Sequence, residues 1–158
     1  MKDLPFLAPL DAAALRAAGL PAEWTFGMRD QVRYSEIDAL NHANNTAYLR
    51  WFEAIRVHYI QARGITTYDL GAPQTVVKRV TADYHAPMFL DEPYIVAART
   101  LSFRRTSFVM RYAVFAPEIR AEGEAIVVMM EPDGRTKRPL DAAVRARLAE
   151  LDGAEDAG

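Results

Sequence analysis

The sequence predicts an α+β fold, an antiparallel sheet of about five strands curled around one long central helix, and three observations carry that expectation. A single long helical pattern runs over residues 45–64. Strand-like runs follow it at 75–85, 93–103, 107–115 and 120–130. Strands gathered after one helix, rather than alternating with helices, favour α+β over a doubly wound α/β fold. The lengths also agree. About nineteen helical residues span roughly 28 Å at ~1.5 Å each, and about ten strand residues extend roughly 33 Å.

Each element has its own signals. Residues 1–24 read as an appendage in which Pro5, Pro9 and Pro21 surround a short helix over 11–18, with Asp11 as its N-cap and Gly19 as its stop. From 24 to 34 aromatic and charged residues mix in a β-like pattern, so a strand leads into the polar cluster that follows. In the long helix, capped by Asn44 or Asn45, the residues Tyr48, Trp51, Phe52, Ile55, Tyr59 and Ala62 form one apolar face. Leu49, Val57 and Ile60 lie off that face, which predicts a helix enclosed on several sides, with Arg50, Glu53 and Arg56 at pairing distance.

The run 75–85 alternates Val76, Val80, Ala82 and Tyr84 against Arg79, Thr81, Asp83 and His85, the pattern of a strand with one buried face. Later runs are apolar on both sides. A single curled sheet with one helix cannot cover both faces of such strands, which predicts a homodimer or homotetramer. Breaks fall at Pro87, Pro117 and the turn at Pro132–Gly134. A short helix closes the domain of residues 25–151, and 152–158 read as a mobile tail. Helix and wrapping sheet together make the hotdog architecture.

Composition narrows the function. The chain has 158 residues, of which 51% are hydrophobic, enough for one domain with a core. A formal net charge of −2 offers no basic surface for nucleic acid or an anionic membrane. Cysteine is absent, which excludes disulfides, thiolate metal sites and a cysteine nucleophile, and suits a reducing compartment. With neither a signal-peptide layout nor an apolar run of membrane-spanning length, a cytoplasmic protein is expected.

Chemistry concentrates at 33–64, where Glu36, Asp38, His42, Asn44 and Asn45 stand directly ahead of the helix. Asp38 fits either a carboxylate at work or a turn cap. Asn44 and Asn45 fit N-caps, while the free N–H groups of the first helical turn form a ready anion site. His42 fits a catalyst or a loop hydrogen-bonder, and Glu53 fits an ion pair with Arg50 or Arg56. The spacing of His42, His58 and His85 suggests no zinc site, and no metal or other cofactor is expected.

These residues resemble the hotdog-fold acyl-CoA thioesterases of the 4-hydroxybenzoyl-CoA thioesterase type. The matching run is Glu36 and Asp38 one spacer apart, then Asn41, His42, Ala43, Asn44 and Asn45, then Tyr48, then Trp51, Phe52, Glu53 and Arg56. It extends more weakly to Tyr84–Pro87, to 104–108 and to 122–140. Asn41 stands where the family usually has Gly, a position where Asn tolerates positive φ. The resemblance implies an enzyme that hydrolyses an acyl-CoA or acyl-carrier-protein thioester, with Asp38 as general base or nucleophile. The Asn45 main-chain amide would bind the oxyanion and His42 would assist, Asn44 is a further candidate for the substrate site, and Tyr48 and Trp51 fit either the lining of the acyl pocket or the core. Arg104, Arg105, Arg135, Lys137 and Arg138 are the basic residues available for the CoA phosphates. The alternatives are an enoyl-CoA hydratase-like enzyme, whose branch carries an Asn-Pro that this chain lacks, and a non-catalytic acyl-CoA-binding module.

Overall fold

The computed structural model describes residues 4–158, so the first three residues of the N-terminal appendage lie outside the described residues. The elements in chain order are β1 (Pro9–Asp11), α1 (Ala12–Ala17), β2 (Phe26–Gln31), a 3₁₀ turn (Tyr34–Glu36), α2 (Asn45–Ala62), β3 (Gln74–Tyr84), β4 (Pro93–Phe103), β5 (Ser107–Phe115), β6 (Ile119–Met130), α3 (Ala142–Asp152) and β7 (Glu155–Asp156). One seven-stranded sheet has the order β1-β2-β4-β5-β6-β3, with β7 pairing β4 in parallel. Its other pairings are antiparallel. This is the hotdog arrangement, with α2 as the central helix.

The core forms where α2 meets the inner face of the sheet. Tyr48, Trp51, Phe52, Ile55, Tyr59 and Ile60 pack on Met110, Tyr112, Ala121, Ala125, Val127 and their neighbours. Phe52 stacks on Tyr112 with ring centroids 4.9 Å apart. The approach needs Gly123, where a Cβ would strike the Thr81 carbonyl oxygen and sit 2.6 Å from Phe52 Cε2. Ala62 and Val57 are exposed, so the enclosure of the helix stops short of its outer flank.

The outer face of the sheet is covered from within the chain. Asp11 Oδ1 accepts the Ala14 N–H at 2.9 Å and starts α1 as expected. Leu10, Leu15, Leu20 and Trp24 then form a second cluster with Ile95, Ala97, Ala113 and Phe115. Gly27 admits Leu15, whose Cδ2 would lie 2.7 Å from a Cβ there. The two-sided apolarity of β4 and β5 therefore needs no second subunit over this half of the sheet. That ground for an oligomer is replaced by a different one, at β3.

Strand β3 corrects the expectation of one buried face. It is the last strand of the sheet, and none of its residues is buried, with Val76, Val77, Val80 and Tyr84 exposed by 46%, 37%, 40% and 46%. Its alternation is also broken. The register with β6 shifts between Val77 and Arg79, so Val77, Val80, Ala82 and Tyr84 share the helix side while Val76 pairs Val128 on the other.

The C-terminal segment read as a mobile tail has a place in the sheet. Glu155 and Asp156 pair Ser102 and Phe103, and the Ala157 N–H donates to the Phe103 carbonyl at 2.9 Å. β2 stops opposite Ala98, which leaves the edge of β4 without a strand between Ala98 and Ser102. Asp152 fills that gap. Its carboxylate accepts the Thr100 N–H at 2.9 Å, Arg63 Nη2 at 2.8 Å, the Thr25 hydroxyl at 2.5 Å and the Tyr59 hydroxyl. Burial, with Asp152 alongside, holds the Tyr59 phenol well above its ordinary pKa.

Removing one partner from a buried ion pair strands the other, at a cost of about 3–5 kcal/mol. Asp152→Ala is therefore expected to lower unfolding stability by about that amount in urea titration, and a loss no greater than that of a surface substitution would contradict the role given to Asp152.

Candidate active site

The loop between β2 and α2 is built by a dense set of main-chain bonds. The chain leaves β2, and Val32 N–H reaches the Glu92 carbonyl at 3.0 Å. After the 3₁₀ turn, Ile37 bridges Ala43, and the Asp38 N–H donates to the His42 carbonyl at 3.0 Å. The turn between them is closed by the Asn41 N–H on the Asp38 carbonyl at 3.1 Å, with Asn41 in the left-handed region at φ 60°. Asn there does what Gly does in the resembled family.

Asn44 joins this loop to the helix. Its N–H and its Nδ2 both donate to the Glu36 carbonyl at 2.8 Å, while its Oδ1 accepts the Ala47 N–H at 3.0 Å as the N-cap of α2. The cap uses one of the orphan donors of the first turn, and helix geometry leaves the Asn45 and Thr46 N–H groups without intrahelical acceptors.

Asp38, His42, Ala43, Asn45 and Tyr48 line a cleft of about 460 Å³ together with Tyr84, His85, Ala86 and Pro87. The Asp38 side chain is 30% exposed and that of His42 34%. Asp38 Oδ1 accepts the Leu40 N–H at 2.8 Å. Oδ2 stands 3.8 Å from His42 Nδ1, beyond hydrogen-bond range. The Tyr84 hydroxyl donates to the Asn45 carbonyl at 3.1 Å, and its ring meets Tyr48 edge-on at 5.1 Å. His85 Nε2 lies 3.3 Å from Glu122, which also takes Arg111 Nη2 at 2.5 Å.

The cleft brings together Asp38, His42, Asn45 and Tyr48 and leaves the other expected residues elsewhere. Asn44 is the cap just described. Trp51 is 4% exposed, its ring against Tyr48 at 4.7 Å and Tyr94 at 4.3 Å, so it is core rather than lining. Glu53 is an exposed partner of Arg56 at 3.8 Å. The basic residues gather at the other end of β3. Lys137 bridges Met130, which pairs Gln74, whereas the cleft adjoins Tyr84, a separation of roughly 33 Å along ten strand residues. Arg104 and Lys137 line a separate cavity of about 620 Å³. Arg105 and Arg135 are exposed on their turns, and Arg138 pairs with Glu131 at 3.1 Å and with Asp141 at 3.7 Å. Among the described residues no group of three or more His, Cys, Asp or Glu is placed to hold a metal ion. None of their helices is long and apolar enough to cross a membrane.

Tyr84 and His85 are the cleft residues that motif reasoning left without a role. The signal was the Tyr84–Pro87 block, which shared the resemblance but begins 46 residues beyond Asp38 in the chain.

A hotdog sheet whose central helix begins beside an accessible carboxylate is the framework of a thioesterase, and the chain belongs to the thioesterase-like superfamily, whose family model matches residues 32–148. A crystal structure of a thioesterase-superfamily protein from Jannaschia sp. CCS1 superimposes with a TM-score of 0.92 at 42% identity, over 96% of this chain and 98% of that one. A thioesterase from Thermus thermophilus, crystallised with coenzyme A and zinc, is 31% identical with a TM-score of 0.68, over 80% of this chain and 94% of that one. The acyl-CoA thioester hydrolase YbgC of Escherichia coli is 25% identical over 122 residues, 75% of this chain and 91% of that protein.

Burial pushes the Tyr48 phenol up to about 12, helped by the nearby Glu92 carboxylate and Tyr84 and opposed by Arg120. Burial also raises Tyr84, Tyr94 and Tyr112. Above pH 10 an unfolded chain releases phenolic protons that the native state retains, so the contribution of these phenols to stability is fully present up to about pH 10 and is lost as pH rises towards 12. Urea unfolding should show a lower midpoint at about pH 11 than at about pH 8, with native phenolate absorbance delayed past the free-tyrosine midpoint of about 10. Equal midpoints would contradict the shifts.

Proposed function

We propose that the protein is an acyl-CoA thioesterase, converting a thioester and water to a carboxylic acid and a free thiol, with Asp38 as the working carboxylate. One observation carries this reading. Asp38 opens onto the same cleft as the N-terminal turn of α2, so an acyl carbonyl seated there meets a carboxylate and main-chain donors together. Asp38 acts through Oδ2, either taking a proton from the attacking water or attacking the carbonyl carbon itself. The Asn45 amide, with the positive end of the helix dipole, stabilises the oxyanion. His42 borders the carbonyl site, and Tyr48 and Tyr84 form the apolar wall for the acyl group. The thioesterase relatives and the coenzyme A bound by one of them support CoA as the thiol carrier.

The working unit in this reading is a homodimer built on β3. An edge strand with exposed valines is a template for a second strand, and a two-fold axis would pair β3 antiparallel with its copy. Such pairing turns the Gln74 end of one copy towards the Tyr84 end of the other. The basic end of the partner sheet then stands beside the cleft, where Arg104, Arg105, Arg135, Lys137 and Arg138 can serve the CoA phosphates of the opposite site.

Two measurements test this. Thiol release from a panel of acyl-CoAs should fall at least about 100-fold in Asp38→Asn; wild-type turnover in that variant removes Asp38 from the chemistry, and tight binding without turnover in the native protein makes it a binding module. Sedimentation should give a dimer for the native chain and a monomer for Val80→Lys, and a monomeric native chain overturns the assembly.

A further inference from the structure

Glu36 lies just outside the cleft, and its hydrogen bonds bear on the group that works inside it. The residue is 6% exposed and is not part of the lining. Both carboxylate oxygens are engaged, Oε2 by the Arg33 N–H at 2.8 Å and Oε1 by the Trp51 indole N–H at 2.8 Å. Its own N–H donates to the Arg33 carbonyl at 2.9 Å, and its carbonyl accepts both donors of Asn44. Its charge faces the Arg33 guanidinium, 3.9 Å from Oε1, which also holds Asp30 at 2.9 Å.

We infer that Glu36 is the positioning residue of the Asp38 site, holding the loop that carries Asp38 in register with the helix that carries Asn45. The inference rests on the role given to Asp38 above. A buried carboxylate is a poor choice for packing alone, since an apolar side chain of similar volume fills such space at lower cost. What a carboxylate adds is direction, with two acceptors fixed in one plane. Here one acceptor faces the loop and the other faces α2. Asp38 is two residues beyond Glu36, and Asn45 is one residue beyond the Asn44 that clasps the Glu36 carbonyl. Both reacting partners are thus tied to the same residue, one on each side. Trp51 extends the tie to the cleft wall, because its ring packs on Tyr48. A displacement of about 1 Å at such a site is enough to cost roughly 100-fold in rate.

Glu36→Gln keeps the shape but offers one acceptor to two donors. Its kcat for acyl-CoA hydrolysis is expected to fall about 10- to 100-fold, with KM changed by less than about threefold. Because Glu36 works chiefly through Asp38, adding Glu36→Gln to Asp38→Asn should cost a much smaller fraction of the rate than it does in the native background. Trp51→Phe removes the indole donor without removing the carboxylate, should lower kcat in the same direction, and serves if Glu36→Gln fails to fold. Wild-type kcat in folded Glu36→Gln or Trp51→Phe overturns the inference, as does an equal fractional loss in the native and Asp38→Asn backgrounds. Wild-type turnover in Asp38→Asn itself overturns the reading of the site on which the inference stands. An inactive Asp38→Asn beside a fully active Glu36→Gln overturns the inference alone.

Discussion

The close packing of α2 against the inner face of one sheet is the constraint from which the rest of the structure follows. Tyr48, Phe52, Ile55 and Tyr59 are at most 3% exposed, and burying side chains of that size contributes about 1.5–3 kcal/mol each. The sheet must curl to meet them, and Gly123 must lack a side chain for Phe52 to fit. Once α2 is held this way its N-terminus has one place to be, beside the end of β3, with its free N–H groups turned towards the loop that arrives from β2. The site is where a packing problem leaves backbone donors unused. Its position is a product of the core and its chemistry is a product of the loop.

Two buried carboxylates, Glu36 and Asp152, occur where the main-chain pairing is interrupted, and a third, Asp30, lies near the end of paired β2. Glu36 sits in the turn that ends β2, and Asp152 replaces the strand missing from β4 between Ala98 and Ser102. Asp30, 5% exposed, takes the Gln31 N–H at 2.8 Å and the Tyr94 hydroxyl at 3.3 Å. Each is balanced by an arginine, Arg33 for Asp30 and Glu36 and Arg63 for Asp152. Such groups are costly to bury and costlier to leave half satisfied, so they fix one geometry rather than adding to net stability.

Much of this was legible in the sequence, and the failures have physical causes. The helical period from Asn45 and the strand lengths reached the fold because α2 and β4 to β6 are governed by burial, which writes itself into periodicity. That Asp38, His42 and Asn45 share one cleft was legible because they are close in the chain as well as in space. Strand β3 misled because alternation reports which residues are apolar, not whether anything covers them, and because the shift at Val77/Arg79 moved Val76 to the other face. The tail was hidden by its small and acidic residues, whose pairing with β4 depends on main-chain atoms that composition does not describe. The basic residues were chosen by charge alone, and charge does not say that their turns stand at the end of β3 away from the cleft of the same chain. Glu36 and Asp152 look like surface residues until the donors that converge on them are known.

The N-terminal segment gives the two halves of the outer face different characters. Leu10, Leu15, Leu20 and Trp24 seal the half over β4 and β5, while Val76, Val109, Ile126 and Val128 remain on the other half beside β3. A strap of this kind makes the back of the sheet lopsided, smooth and finished towards β2, unfinished towards β3. Two such sheets meeting back to back would find open sheet only at the β3 half, since the N-terminal segment covers the other. The strap thus leaves the sheet itself accessible from behind only where Val76, Val109, Ile126 and Val128 lie.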